Sequence, residues 1–236
     1  MARTSTKPMS SAASPPVSHN LVGQRLGRKG QETRERILAA MLKLVDDTDG
    51  PAVTLTAVAK EASVGMTTLY LYFPDMADLL LAALRCVMAS ADDAYLYRIR
   101  DYWPDETLEE ESREFHRAHY RFWRQHRRLM QMRNSFADAS DVAVLEYRGK
   151  SSEPLLLALI RQMSGDSIET DPACFYLATV ALVGIERVAT VVNTQHFHMI
   201  SRTQDVAEAD FIDSLICAQA TVVALTIRHQ RAAKSA

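Results

Sequence analysis

Cysteine is scarce in this sequence. Its three residues, Cys86, Cys174 and Cys217, lie far apart with no CxxC spacing. An odd, dispersed set excludes a disulfide framework and fits a reducing compartment. Glycine and proline are also few, eight of each in 236 residues, and no glycine-rich phosphate loop is among them. No serine or cysteine stands in a nucleophile-elbow pattern, and the carboxylates at Glu109–Glu111 read as a solvated helix face. An enzyme is therefore not expected, nor a cofactor. No unbroken apolar run reaches the roughly 18 residues that a membrane span needs. The longest, Ala173 to Ile185, is broken by Thr179 and ends at Glu186. A secretory signal is not expected. The serine-rich, basic start, free of acids up to Glu32, superficially suggests a transit peptide, but Pro8, Pro15 and Pro16 spoil an amphipathic helix there. The expectation is a cytoplasmic protein with no membrane partner.

What is present is ordinary in bulk and uneven in distribution. Apolar residues make up 47% and charged residues 24%, enough for a sizeable core at this length. Net charge is −2. Seven Lys/Arg against two Glu give residues 1–36 a net +5, leaving −7 for the rest. A basic end on an acidic body suits a protein that offers one end to a polyanion; a solvated tail has the same composition. Residues 1–30, rich in Ser, Pro, Gly and Lys/Arg, read as a disordered basic arm.

Beyond the arm, the helical period dominates and strand-like alternation is rare, which predicts an all-α chain. Ile37, Met41, Leu44 and Val45 mark a first helix over about 31–47, stopped by Asp49-Gly50-Pro51. Thr54 is placed to cap a short helix over 55–62, and another short helix is predicted over 66–73. After Pro74, Asp75 and Asp78 form a capping-box-like start to a fourth helix reaching about Arg100. Longer helices are predicted over 105–126, 142–163 (bent near Pro154), 172–195 and 209–230. His126-Arg127-Arg128 reads as a helix C-terminus, where cations are favoured.

The segment Val53–Leu80 pairs two short helices across a tight turn, as in a helix-turn-helix. Val58, Ala59 and Ala62 supply the inner face of the first, Val64 plugs the turn, and Leu69 and Phe73 line the buried side of the second. Met66, Thr67, Thr68, Tyr70 and Leu71 are left for the exterior or the flanks, and such a helix enters the major groove N-terminus first.

This segment resembles the DNA-binding domain of the tetracycline-repressor (TetR) family. The residues that carry the likeness are Val58-Ala59, Ala62-Ser63-Val64, Thr68-Leu69-Tyr70, Tyr72-Phe73 and Leu79-Leu80, over about residues 31–85; beyond that only length and helicity agree. There are three departures. Ser63 stands where the turn usually has Gly, Gly65 where the recognition helix is usually capped by Ser, and Met76 where the family uses a Lys to hold a phosphate. The resemblance implies a helix-turn-helix domain over 31–76, with a helical ligand-binding and dimerisation domain over 77–232. The expected partners are double-stranded DNA carrying a palindromic operator, a second copy of the chain, and a small, largely hydrophobic effector that releases a repressor from DNA. A helical adaptor without specific DNA binding is the alternative.

Roles follow from chemistry. Thr54 and Thr56 begin a helix and can face a phosphate. Tyr70 and Tyr72 resemble the family's phosphate-contacting tyrosines, or one of them packs on the first helix. Met66, Thr67 and Thr68 are the candidates for base edges; none makes a bidentate contact to guanine, so modest direct readout is expected. Arg25, Arg28 and Lys29 either enter the minor groove or raise nonspecific affinity. In the body, Phe115, His119, Phe122 and Trp123 repeat at helical spacing, and with Met130, Phe136, Tyr147, Phe175 and Tyr176 they line a cavity or build a core. Leu182, Ile185, Val188, Phe211, Leu215, Ile216, Val222 and Val223 are candidates for pairing between copies. Their alternative is burial within one chain, and Ala178, Ala181 and Gly184 allow close helix approach. His116 with His119, and His196 with His198, have loose metal spacings that no third ligand completes, so no metal is expected.

Overall fold

A computed structural model of the chain describes residues 27–47, 50–165, 171–194, 197 and 207–235. Among them every regular element is helical. The reading head comprises α1 (Arg28–Asp46), α2 (Leu55–Glu61) and α3 (Met66–Tyr70). The first helix begins three residues earlier than its apolar period indicates, so Arg28 and Lys29 belong to its first turn rather than to the arm. The arm before Gly27, with Arg25, lies outside the described residues.

Ile37, Met41, Val58, Ala59, Leu69 and Phe73 fill the space between the three helices, each at most 3% exposed. The caps are those the sequence supplies. Thr54 accepts from the Ala57 amide at 3.1 Å, and Asp75 accepts from Asp78 at 2.9 Å to start α4 (Met76–Met88). Ser63 takes a left-handed φ of 52° in the turn between α2 and α3, at a cost of about 1 kcal/mol for a residue with a Cβ.

The expected continuation of the fourth helix to Arg100 is interrupted. A π-helical turn spans Asp92–Leu96, and a short α5 covers Tyr97–Arg100. The body then comprises α6 (Leu108–Gln125), α7 (Arg127–Asp138), α8 (Val142–Ser164, with Pro154 inside), α9 (Pro172–Val192) and α10 (Glu208–Ser235). Helix α7 is not legible from the apolar period. His126 both ends α6 and precedes α7, so Arg127 and Arg128 open a helix instead of closing one.

Two polar knots fasten the body. Gln162, fully buried, accepts from the Trp103 amide at 3.0 Å and donates to the carbonyls of Ile99 and Asp101 at 3.2 and 2.7 Å. Arg231 of α10 donates to the Gln162 and Trp103 carbonyls at 2.8 and 2.9 Å and stacks 3.9 Å over Tyr102. Ser112 on α6 donates to the Ala220 carbonyl on α10 at 2.8 Å.

Helices α9 and α10 correct the reading of apolar runs. Each contains an 18-residue window apolar enough to cross a membrane by length and composition, with mean hydropathy 1.7 and 1.5, and only 28% of each window is buried within the chain. Both pack on one side against the body, so the surplus is an apolar face without a partner among the described residues. Gly184 sits where the helices approach: a Cβ there would lie 2.7 Å from the Gln219 amide nitrogen.

Candidate nucleic-acid interface

The reading head turns one face inward and leaves polar groups on the other. Leu69 is fully buried and anchors α3 against α1 and α2, while Thr67 and Tyr70 are exposed and Met66 and Thr68 half-buried. Tyr70 is 48% exposed; Tyr72 is half-buried and packs against the core of the head. Of the two tyrosines, then, Tyr70 has the free surface for a phosphate. Thr54 and Thr56 are exposed at the start of α2, but the Thr54 hydroxyl already accepts from the Ala57 amide, leaving its proton to donate outward. Arg28 and Lys29 are exposed in the first turn of α1, where Arg28 pairs with Glu32 at 3.3 Å. A pair this exposed is worth little and gives way to a stronger anion. Met76, at the first position of α4, is half-buried against the core, so its departure from lysine also adds apolar packing.

Arg128 adds a polar tie between body and head to the packing of α1 and α4 on α7. Its guanidinium donates to the Leu44 carbonyl at 3.1 Å, to the Asp47 carbonyl, and to the Pro51 carbonyl at 2.7 Å. These acceptors are the end of α1 and the loop behind it, so one side chain of α7 satisfies carbonyls that the helix end leaves open. Earlier in α1, Arg34 lies 5.0 Å over the Phe73 ring.

The body residues proposed for a ligand fall into separate places. Phe115, His119, Phe122 and Trp123 are packed side chains, at most 4% exposed, joined by Tyr95, whose ring lies 4.9 Å from His119 and 5.2 Å from Phe122. Met130 is buried beside them, and Phe136 and Tyr147 are half-buried. Phe175 and Tyr176 do not join this set: they stand 44% and 67% exposed on the outer face of α9. Their own helix turns them away because Cys174 and Ala178 take the buried positions.

A groove of about 740 Å³ opens instead between α7, α8 and α9, lined by Asn134, Arg148, Ser152, Leu156, Leu182 and Glu186 among others. Its charged groups connect to the interior. Glu186 accepts from Ser152 at 2.6 Å and lies 3.8 Å from Arg133, a guanidinium only 4% exposed that also sits 5.0 Å over Trp123. Sequence periodicity missed Arg133 and Glu186, since charges on buried faces break the apolar pattern that reveals a core.

The histidines are structural in character. Burial pushes His116 down to about 4, against a raising hydrogen bond to the Ser112 carbonyl, and pushes His119 down to about 3. Among the described residues, no group of three or more His, Cys, Asp or Glu side chains is placed to hold a metal ion; His196 and His198 lie outside them.

The pairing candidates also divide. Ile185, Ile216 and Val223 are buried within the chain, and Leu182, Val188, Phe211 and Leu215 are half-buried; only Val222 is open, at 55%. The unpartnered face is one register away, at Tyr176, Val180 and Val183 of α9 and Val222 and Leu225 of α10, all more than half exposed. Both helices are apolar around much of their circumference, so spacing alone does not reveal which side faces out.

Residues 37–83 match the family described as "Bacterial regulatory proteins, tetR family". The span covers α1 from Ile37, the helix-turn-helix and most of α4. No curated protein matches the chain. Among solved structures, the chain is similar to a TetR family transcription regulator from Marinobacter aquaeolei VT8, at a TM-score of 0.53 and 19% identity, over 83% of this chain and 97% of that one. The likeness to that structure carries the fold. The segment that matches the tetR family of bacterial regulatory proteins is thus the one folded into the reading head, on a body that is all-α.

Proposed function

We propose that the chain is a dimeric, ligand-responsive repressor working in the cytoplasm. The observation that carries this reading is the surface of α3: Thr67 and Tyr70 stand free on a helix whose opposite side is locked by Leu69. Met66, Thr67 and Thr68 meet base edges in the major groove, Tyr70, Thr54 and Thr56 hold phosphates, and Arg28 and Lys29 add charge at the flank. Tyr72 supports α3 from within. None of the base-facing side chains selects guanine, so much of the specificity comes from DNA shape.

Pairing uses the apolar face of α9 and α10. A contiguous face of Tyr, Val and Leu, more than half exposed in one chain, is costly in water and marks an interface. In a symmetric dimer it forms an isologous four-helix contact, and the two α3 helices meet successive grooves about 34–36 Å apart. The effector occupies the groove between α7, α8 and α9. Its charged and hydroxyl lining favours a ligand with polar groups on an apolar frame, against the largely hydrophobic one expected from the aromatic stripe. Binding there displaces α7, and through Arg128 the head, shifting the balance between DNA-competent and incompetent states.

Selection of sites from a random DNA library tests the reading. An enriched inverted repeat, with affinity falling steeply as salt rises, supports it. Binding without a motif reduces it to nonspecific attachment. A folded dimer with no DNA binding at low salt supports the adaptor.

A further inference from the structure

Of the sequence feature His126-Arg127-Arg128, the proposed function uses Arg128 alone, as the link to the head. Helix α7 opens with two arginines and no acid in its first turn, although a helix start carries partial positive charge that disfavours cations. Arg124, in the last turn of α6, adds a third guanidinium. The three arginines line a polar cleft of about 480 Å³, together with Gln131, Asn193 at the end of α9, and Gly50 of the reading head. One acid, Glu208, borders it among the described residues.

Elsewhere in the body, arginines face carboxylates: Arg100 with Asp92, Arg113 with Glu110, Arg117 with Asp213, Arg228 with Glu109. In the cleft they face none among the described residues. Arg128 is bonded to neutral carbonyls only, and Arg124 and Arg127 make no hydrogen bond or ion pair with any described residue. Three arginines lining one cleft at a helix start, with so little negative charge among the described residues to balance them, form a positive recess suited to an oxyanion.

We infer that this cleft binds a compact small-molecule oxyanion, phosphate- or carboxylate-bearing, at the joint of head and body, separate from the groove between α7, α8 and α9. Charge-assisted bonds are roughly twice as strong as neutral ones, so a bound anion draws Arg128 from the carbonyls of Leu44, Asp47 and Pro51 and loosens the head. The regulatory half of this inference rests on the reading of the head as a DNA binder; the binding half does not.

The test is calorimetric titration of the full chain with pyrophosphate and, separately, citrate, at ionic strength held constant with sodium chloride. Saturable binding of either probe is expected, and the stronger of the two identifies the oxyanion class. In the double variant R124Q/R127Q, whose altered side chains have no partners to lose among the described residues, thermal stability without anion stays as in the parent. Affinity for the probe falls at least about tenfold, the equivalent of one lost charge-assisted contact. Heat of dilution alone, or equal affinity in the variant, overturns the site. A third result also overturns it: if R124Q/R127Q weakens DNA binding without any anion and flattens the salt slope by about 2, the arginines hold the DNA backbone instead. Should the chain bind no DNA at all, the titration still decides the anion site.

Discussion

Arg128 of α7 donates to the Pro51 carbonyl at 2.7 Å, and the same guanidinium reaches the carbonyls of Leu44 and Asp47. One side chain therefore ties the end of α1 to the body, alongside the packing of α4 on α7 and α8. Arg128→Ala leaves the end of α1 without these donors and is expected to cost about 1–3 kcal/mol of the head's stability. Hydrogen exchange checks it: amides of α1 and α2 exchange faster, while those of α6 and α10 are unchanged. Uniform acceleration across the chain would show that the link is not local.

The outer face of α9 predicts the assembly. Val180 and Val183 are 71% and 62% exposed, one helical turn apart. V183E places a charge on the pairing face without touching the monomer's core, so folding is retained and the dimer is lost. Sedimentation at micromolar concentration should give a single dimeric species for the parent and a monomer for the variant. I185A is the contrast: Ile185 is buried within the chain, so it lowers thermal stability by the 2–5 kcal/mol typical of such a cavity with far less effect on association.

These two residues show what sequence could and could not yield. The head was legible because it is small, and each short helix has one inner face that declares itself by spacing; the caps at Thr54 and Asp75 stand where their side-chain chemistry requires. Helix α7 was invisible because its buried positions include Arg133 and its first turn is cationic. The π-helical turn at Asp92–Leu96 was invisible because a single inserted residue shifts the register without changing composition. In α9 and α10 the apolar residues surround the helix, so periodicity could not separate the core from the interface.

The reading head supplies a test by gain as well as loss. T67A and Y70F each remove a free hydroxyl from α3 without disturbing Leu69, and operator affinity should fall by about 1 kcal/mol for each lost bond. Their signatures differ. T67A changes the preferred base at one position of the selected site, whereas Y70F weakens all sequences alike. M76K restores the missing cation at the start of α4 and should steepen the salt dependence by about one unit. Filter binding at several salt concentrations distinguishes the three, and an unchanged slope in M76K would place that position away from the phosphates.

His116 and His119 predict the pH profile of stability. Their folded values, about 4 and about 3, lie below the ordinary histidine value of 6.5 because burial penalises the charged form. The unfolded chain thus binds protons first as pH falls. Stability is complete above about 6.5 and declines below it, by roughly 1.4 kcal/mol per pH unit for each histidine. From pH 7.5 to 5.5 the parent should lose roughly 2–3 kcal/mol from the two groups. Urea melts at the two pH values measure it. In His119→Phe, a ring of similar size packed beside Tyr95 and Trp123 keeps the cluster filled and removes one titrating group, so the loss should be about halved. A variant with the parent's full pH dependence would move the effect to other groups.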